Sequence, residues 1–199
     1  MQTTNHHIPL IIAALLGAMA PHAVRLPLWI VGWCVLFWGY HLISARYDWS
    51  LPPKWLRQGL ILVGFIGVIL TFGTTFGRDA GVGLLAVATG LKPLEIRSYR
   101  DKMVTLFMAY FLVVTCLLYT TSLPMTLYMF GSVWLTTTVL VHVNSLSGSI
   151  AGKFAYAVRM LGQALPVMLI LFFLFPRIQG SLWGVPKQTN AQTGFNNEL

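Results

Sequence analysis

Few side chains in this 199-residue sequence could act on a substrate. A thiol nucleophile must be open to substrate and within reach of an imidazole. Cys34 and Cys116 instead lie inside apolar runs on separate predicted helices and read as packing residues. No Cys or His stands near either at zinc-ligand spacing, so neither a disulfide framework nor a metal site is expected. His6, His7 and His22 form no helical ligand pair. His41 and His142 fall within a turn of predicted helix ends, where an imidazole would sit at a membrane interface. The sequence therefore predicts no catalytic residue, no metal ligand and no cofactor.

Charged and amide side chains are the better candidates. Arg78 and Asp79 stand between two apolar blocks with almost no loop. Adjacent residues do not face each other along a helix. Asp79 is therefore expected to favour the positive end of the following helix while Arg78 reaches lipid headgroups. The functional alternative is contact with an anion or substrate. The segment from Lys92 to Lys102, with Glu95, Arg97, Arg100 and Asp101, reads as a cytoplasmic connector lying on anionic lipid. Each cation near such a surface contributes about 1 kcal/mol. Arg159 and Gln163 are four apart and share a helix face just before Pro166, a face expected to pack inward where polar groups find partners. Arg177 opens the final segment.

The elements that position these residues follow from composition. Hydrophobic residues make up 56% of the chain and charged residues 9%, against about 25% charged in soluble domains. The net charge of +8 comes from 13 Lys and Arg spread among apolar blocks. That distribution fits the flanks of membrane helices and not a nucleic-acid surface. A charge at the bilayer centre costs roughly 2.5–3.5 kcal/mol, so gaps between charges mark the spans. Leu26 to Ala45, Gln58 to Gly77 and Met160 to Pro176 are uncharged and each suits one crossing. Met103 to Gly152 suits two, divided at Thr120-Thr121-Ser122-Leu123-Pro124, because proline disfavours helix at the residue before it. Ile8 to Ala20 and Ala80 to Leu91 are shorter than a usual span. Ala18-Met19-Ala20 resembles a signal-peptidase site, but no Lys or Arg precedes it and Pro21 follows, so a retained helix reaching about Val24 is expected.

If both short blocks cross, the cations alternate. Arg46, Lys54, Arg57, Lys92, Arg97, Arg100, Lys102 and Lys153, with Arg159 nearby, fall on even connections, whereas only Arg25 and Arg78 fall on odd ones. The positive-inside rule then places the amino terminus inside and the carboxyl terminus outside. The expected fold is all-α, a polytopic transmembrane bundle of about seven spans over residues 1–176, followed by a juxtamembrane segment, 177–199. Trp29, Trp49, Trp55 and Trp183 mark span ends, while Trp33, Trp38 and Trp134 lie deeper and read as packing residues. Glycine costs about 1 kcal/mol in a helix relative to alanine. The block holding Gly81, Gly83 and Gly90 must therefore gain close helix approach, and is expected at the centre of the bundle.

Several motifs occur in a familiar order: Arg25-Leu26-Pro27-Leu28-Trp29, Leu51-Pro52-Pro53-Lys54-Trp55-Leu56-Arg57, Gly77-Arg78-Asp79-Ala80-Gly81 and Leu94-Glu95-Ile96-Arg97-Ser98-Tyr99-Arg100-Asp101. They are followed by Gln163-Ala164-Leu165-Pro166 and by Leu174-Phe175-Pro176-Arg177 through Trp183-Gly184-Val185-Pro186. Over nearly its whole length the chain resembles the amino-terminal membrane domain of the bacterial TgpA-like transglutaminase family. The resemblance implies a periplasmic papain-like core with a Cys-His-Asp triad after this domain, then a further membrane helix. The sequence reaches Leu199 about where that periplasmic region is expected to begin, so no catalytic residue carries over. The more polar stretch Val143 to Ser149 departs from the family pattern.

The expected role is a noncatalytic inner-membrane module that anchors a periplasmic transglutaminase-like enzyme of the cell envelope. Its partners would be that enzyme and a bilayer with anionic lipid on the cytoplasmic side. The competing reading, a small standalone carrier or lipid-handling protein, would need polar residues converging near the bilayer midplane.

Overall fold

The computed structural model describes residues 7–47, 49–74, 77–119, 122–145 and 149–174. Among them are seven α-helices: α1 (Ile8–Met19), α2 (Leu28–Tyr47), α3 (Lys54–Phe72), α4 (Arg78–Leu91), α5 (Tyr99–Thr115), α6 (Leu123–Asn144) and α7 (Ile150–Leu174). Single 3₁₀ turns, Ala20–His22, Lys92–Glu95 and Cys116–Leu118, follow α1, α4 and α5. Five helices, α2, α3, α5, α6 and α7, are long and apolar enough to cross a membrane, α5 being counted with its 3₁₀ turn. Segment 177–199 lies outside the described residues.

Local chemistry sets the boundaries. Ser98 and Asp101 form a reciprocal capping box at the start of α5: Asp101 N–H donates to Ser98 Oγ, and Ser98 N–H donates to the Asp101 carboxylate. Gly73 ends α3 in the left-handed conformation at φ 66°, where a side chain would be strained. The first helix stops earlier than expected, at Met19, with one 3₁₀ turn to His22 in place of an extension to Val24. Pro21 has no N–H for the Gly17 carbonyl, and α6 supplies the missing donors. Tyr128 Oη–H lies 2.6 Å and Ser132 Oγ–H 3.3 Å from that oxygen. The α5–α6 division falls where expected, with Ser122 the N-cap residue of α6 and Pro124 in its first turn, and α5 tightens into its 3₁₀ turn at Cys116 before it.

The two short helices are the interior ones. α4 packs against α2, α3 and α5, while α1 packs against α5, α6 and α2. Ile11, Leu15 and Ala18 of α1 are inaccessible, as is Ala86 of α4. Small residues allow the approach, as expected for α4. A Cβ on Gly90 would stand 3.1 Å from Cys34 Sγ and Trp33 Cδ1, and one on Gly83 would stand 3.0 Å from the Phe72 ring. Across the α3–α4 contact, a Cβ on Gly64 would collide with Val87. Trp29 lies against Gly67 and donates to Thr71 Oγ1, Trp38 is buried and donates to the Thr89 carbonyl, and Trp134 stacks on Phe154.

Cross-helix contacts sort the helix ends into two groups. Arg57–Leu94, Tyr99–Asn144, His7–His142 and Lys153–His142 gather one end. Trp29–Thr71, His22–Leu112, Arg78–Leu118 and Tyr128–Gly17 gather the other. Successive helices therefore run in opposite directions. The first group is the cation-rich end and includes the start of α7, which packs on α6. Beyond Ala157, most of α7 is exposed within this chain, including Arg159 and Gln163. That corrects the expected inward orientation of the Arg159–Gln163 face. Only Lys153 and Ala157 on this helix are buried, so contact with α6 is confined to its first turns.

Candidate functional site

At the cation-poor end, three chain segments converge on one tyrosine. The turn after α1 carries Arg25, the first turn of α4 carries Arg78 and Asp79, and Tyr119 follows the 3₁₀ turn after α5. The guanidinium carbon of Arg78 lies 4.7 Å from the Tyr119 ring centroid and that of Arg25 lies 5.2 Å from it. Both distances are within cation–π range. Arg78 also donates to the Leu118 carbonyl at 3.1 Å. Asp79 lies 3.6 Å from Arg78. Arg78 and Asp79 are each about half exposed.

This geometry changes the reading of the neighbouring pair. Asp79 makes no side-chain cap on α4; the N-cap is Gly77, at φ 133°, which has no side chain to offer. Arg78 and Asp79, expected to point apart, do meet. Arg78 is held by protein groups and not simply extended toward headgroups. Nothing in the sequence flagged Tyr119: it ends an apolar run, and its partners are about 40 and 94 residues away along the chain.

Directly beneath lies a pair that sequence spacing had not joined. Cys116 is not mid-helix but in the 3₁₀ turn after α5, and its Sγ lies 3.3 Å from His22 Nε2. The same nitrogen is 2.9 Å from the Leu112 carbonyl and 3.2 Å from Thr115 Oγ1. The Leu112 distance identifies Nε2 as a protonated donor to that oxygen. Both residues are closed to solvent, His22 at 1% and Cys116 at 2% exposure. A thiol there cannot meet a substrate, so the pair fastens α1 to α5 and does not form a nucleophile. Cys34 is likewise buried and donates to the Ala86 carbonyl.

The other candidates lie at the cation-rich end. Lys92 and Glu95 pair at 2.6 Å across one turn, and Arg57 donates to the Leu94 carbonyl from a buried position. Leu94 and Ile96 are buried, so the expected connector is partly inserted into the bundle, while Arg97 and Arg100 remain exposed. Asp101 serves the capping box. A groove of about 400 Å³, lined by Ile61, Phe65, Leu84, Val87 and Met108, reaches the Lys92–Glu95 pair. His41, expected at the interface, is buried, with both ring nitrogens lacking a hydrogen-bond partner among the described residues. The α2 face that carries Cys34, Trp38 and His41 is covered by α4 and its following turn. Arg159 and Gln163 belong to neither cluster, and Arg177 lies outside the described residues. No group of three or more potential metal ligands occurs among the described residues.

The family described as "TgpA N-terminal domain" matches residues 10–199. A "Protein-glutamine gamma-glutamyltransferase" from Pseudomonas aeruginosa is 32% identical over 192 residues, covering 90% of this chain. The chain spans 27% of the length of that relative. No solved structure matches.

Proposed function

Because the chain belongs to the TgpA N-terminal domain family, we propose that it is the noncatalytic membrane module that anchors a periplasmic transglutaminase-like enzyme of the bacterial cell envelope. The carrying observation is the breadth of the match: nearly all of this chain aligns with roughly a quarter of a protein named for transfer of the γ-glutamyl group of protein glutamine. The helical bundle supplies an anchor and the remainder of such a protein supplies the chemistry.

In this reading all seven helices cross the inner membrane. The short ones span by being shielded within the bundle, since α4, at 14 residues, reaches only roughly 21 Å of an approximately 30 Å hydrocarbon layer. The cation-rich end faces the cytoplasm, with Arg97 and Arg100 on anionic lipid. The Arg25–Tyr119–Arg78 end and the segment from Arg177 onward face the periplasm. Reporters active only in the periplasm should work when fused after Arg25, Arg78, Ser122 and Pro186. Activity after Tyr99 would overturn the orientation. A periplasmic passenger fused after Pro186 should remain with membranes through an alkaline wash. Its release would remove the anchoring role.

A further inference from the structure

We propose that Arg25 and Arg78, gathered by Tyr119, form a binding site for a phosphate-bearing anion. Three observations point the same way. First, the two guanidinium groups lie 5.2 and 4.7 Å from one ring centroid, so two positive charges flank Tyr119, with the Asp79 carboxylate beside Arg78. That carboxylate lies near Arg78, leaving the cluster net positive.

Second, the arginines are not equally occupied. Arg78 is positioned by the Leu118 carbonyl and Asp79, whereas the Arg25 side chain makes only the ring contact among the described residues. Arg25 is exposed, and its planar fork of N–H donors matches phosphate oxygens in a way an ammonium cannot.

Third, the first turn of α4 carries Arg78 beside Asp79, at the end of the helix dipole where an anion is favoured. Gly77 provides no side-chain cap for that turn, so its amides add to the positive field. A phospholipid headgroup and free phosphate present the same chemistry to this end of the bundle.

The test uses the 199-residue chain in neutral detergent at constant ionic strength. Binding is measured for inorganic phosphate and for short-chain phosphatidylglycerol. Saturable binding of at least one probe is expected, weakened about tenfold or more by R25Q and by R78Q, and unchanged by R46Q at the opposite end. Tighter binding of the lipid identifies a headgroup site; equal or tighter binding of inorganic phosphate identifies a free-anion site. Absence of saturable binding of either probe, or R25Q binding as the wild type does, overturns the proposal. If R25Q loses helicity, R25K decides: a point charge without the planar fork must bind less tightly, and equal binding overturns the site. Because the measurement is made in detergent, its failure leaves the anchoring role and the orientation untouched.

Discussion

At the residue scale, the interior of this bundle depends on atoms that are missing. Gly81 and Gly90 lie on the same short helix, yet a Cβ on Gly81 meets nothing within 4 Å, whereas one on Gly90 meets sulfur and indole at 3.1 Å. Alanine favours helix over glycine by about 1 kcal/mol. G81A should therefore raise the denaturation midpoint in detergent, and G90A should lower it. G83L, which drives a side chain into Phe72 and Ile30, should lower the yield of folded protein far more than V82I or L85I. A second test concerns the Gly17 carbonyl. Y128F should cost about 0.5–1.5 kcal/mol, and P21A should reduce that cost by restoring a backbone donor. A double-mutant cycle measures the coupling, and strict additivity would show that Tyr128 does not compensate for Pro21.

At the element scale, positions and order were legible, but orientations were not. Charge gaps located the helices, and the glycines of α4 marked it as interior. In water an apolar stripe tells a helix which face to bury; in lipid both faces are apolar and the stripe carries no such signal. The spacing and polarity of Arg159 and Gln163, just before Pro166, point inward, yet both lie on a helix whose buried residues are confined to its first turns. The Tyr119 cluster was half legible. Arg78 and Asp79 stood out as charges, but joining them to Arg25 and Tyr119 required the packing of α1, α4 and α5. The exposed half of α7 makes a measurable contrast. A157L inserts bulk where nothing is accessible and should destabilise by roughly 1–3 kcal/mol. L169A, on the exposed part, should shift the thermal midpoint little.

At the scale of the whole molecule, the interior position of α1 sets an order of events during synthesis. The helix made first is buried between helices made much later: its Gly17 carbonyl is satisfied by Tyr128, 111 residues downstream. At about 5–20 residues per second, α1 must wait roughly 5–20 s for that partner. During the wait, a helix shorter than the hydrocarbon layer, with a proline-freed carbonyl, has α2 beside it but lacks the shielding of α6. Nascent chains arrested before Leu123 should therefore leave α1 accessible to a water-soluble thiol reagent at an introduced cysteine such as Ala14→Cys. Chains arrested beyond α6, with the ribosomal tunnel cleared, should protect it. Equal protection at both lengths would mean that α1 is settled without its later partners. The delayed closure makes α1 the point at which assembly of this bundle depends on whatever holds an unfinished membrane protein.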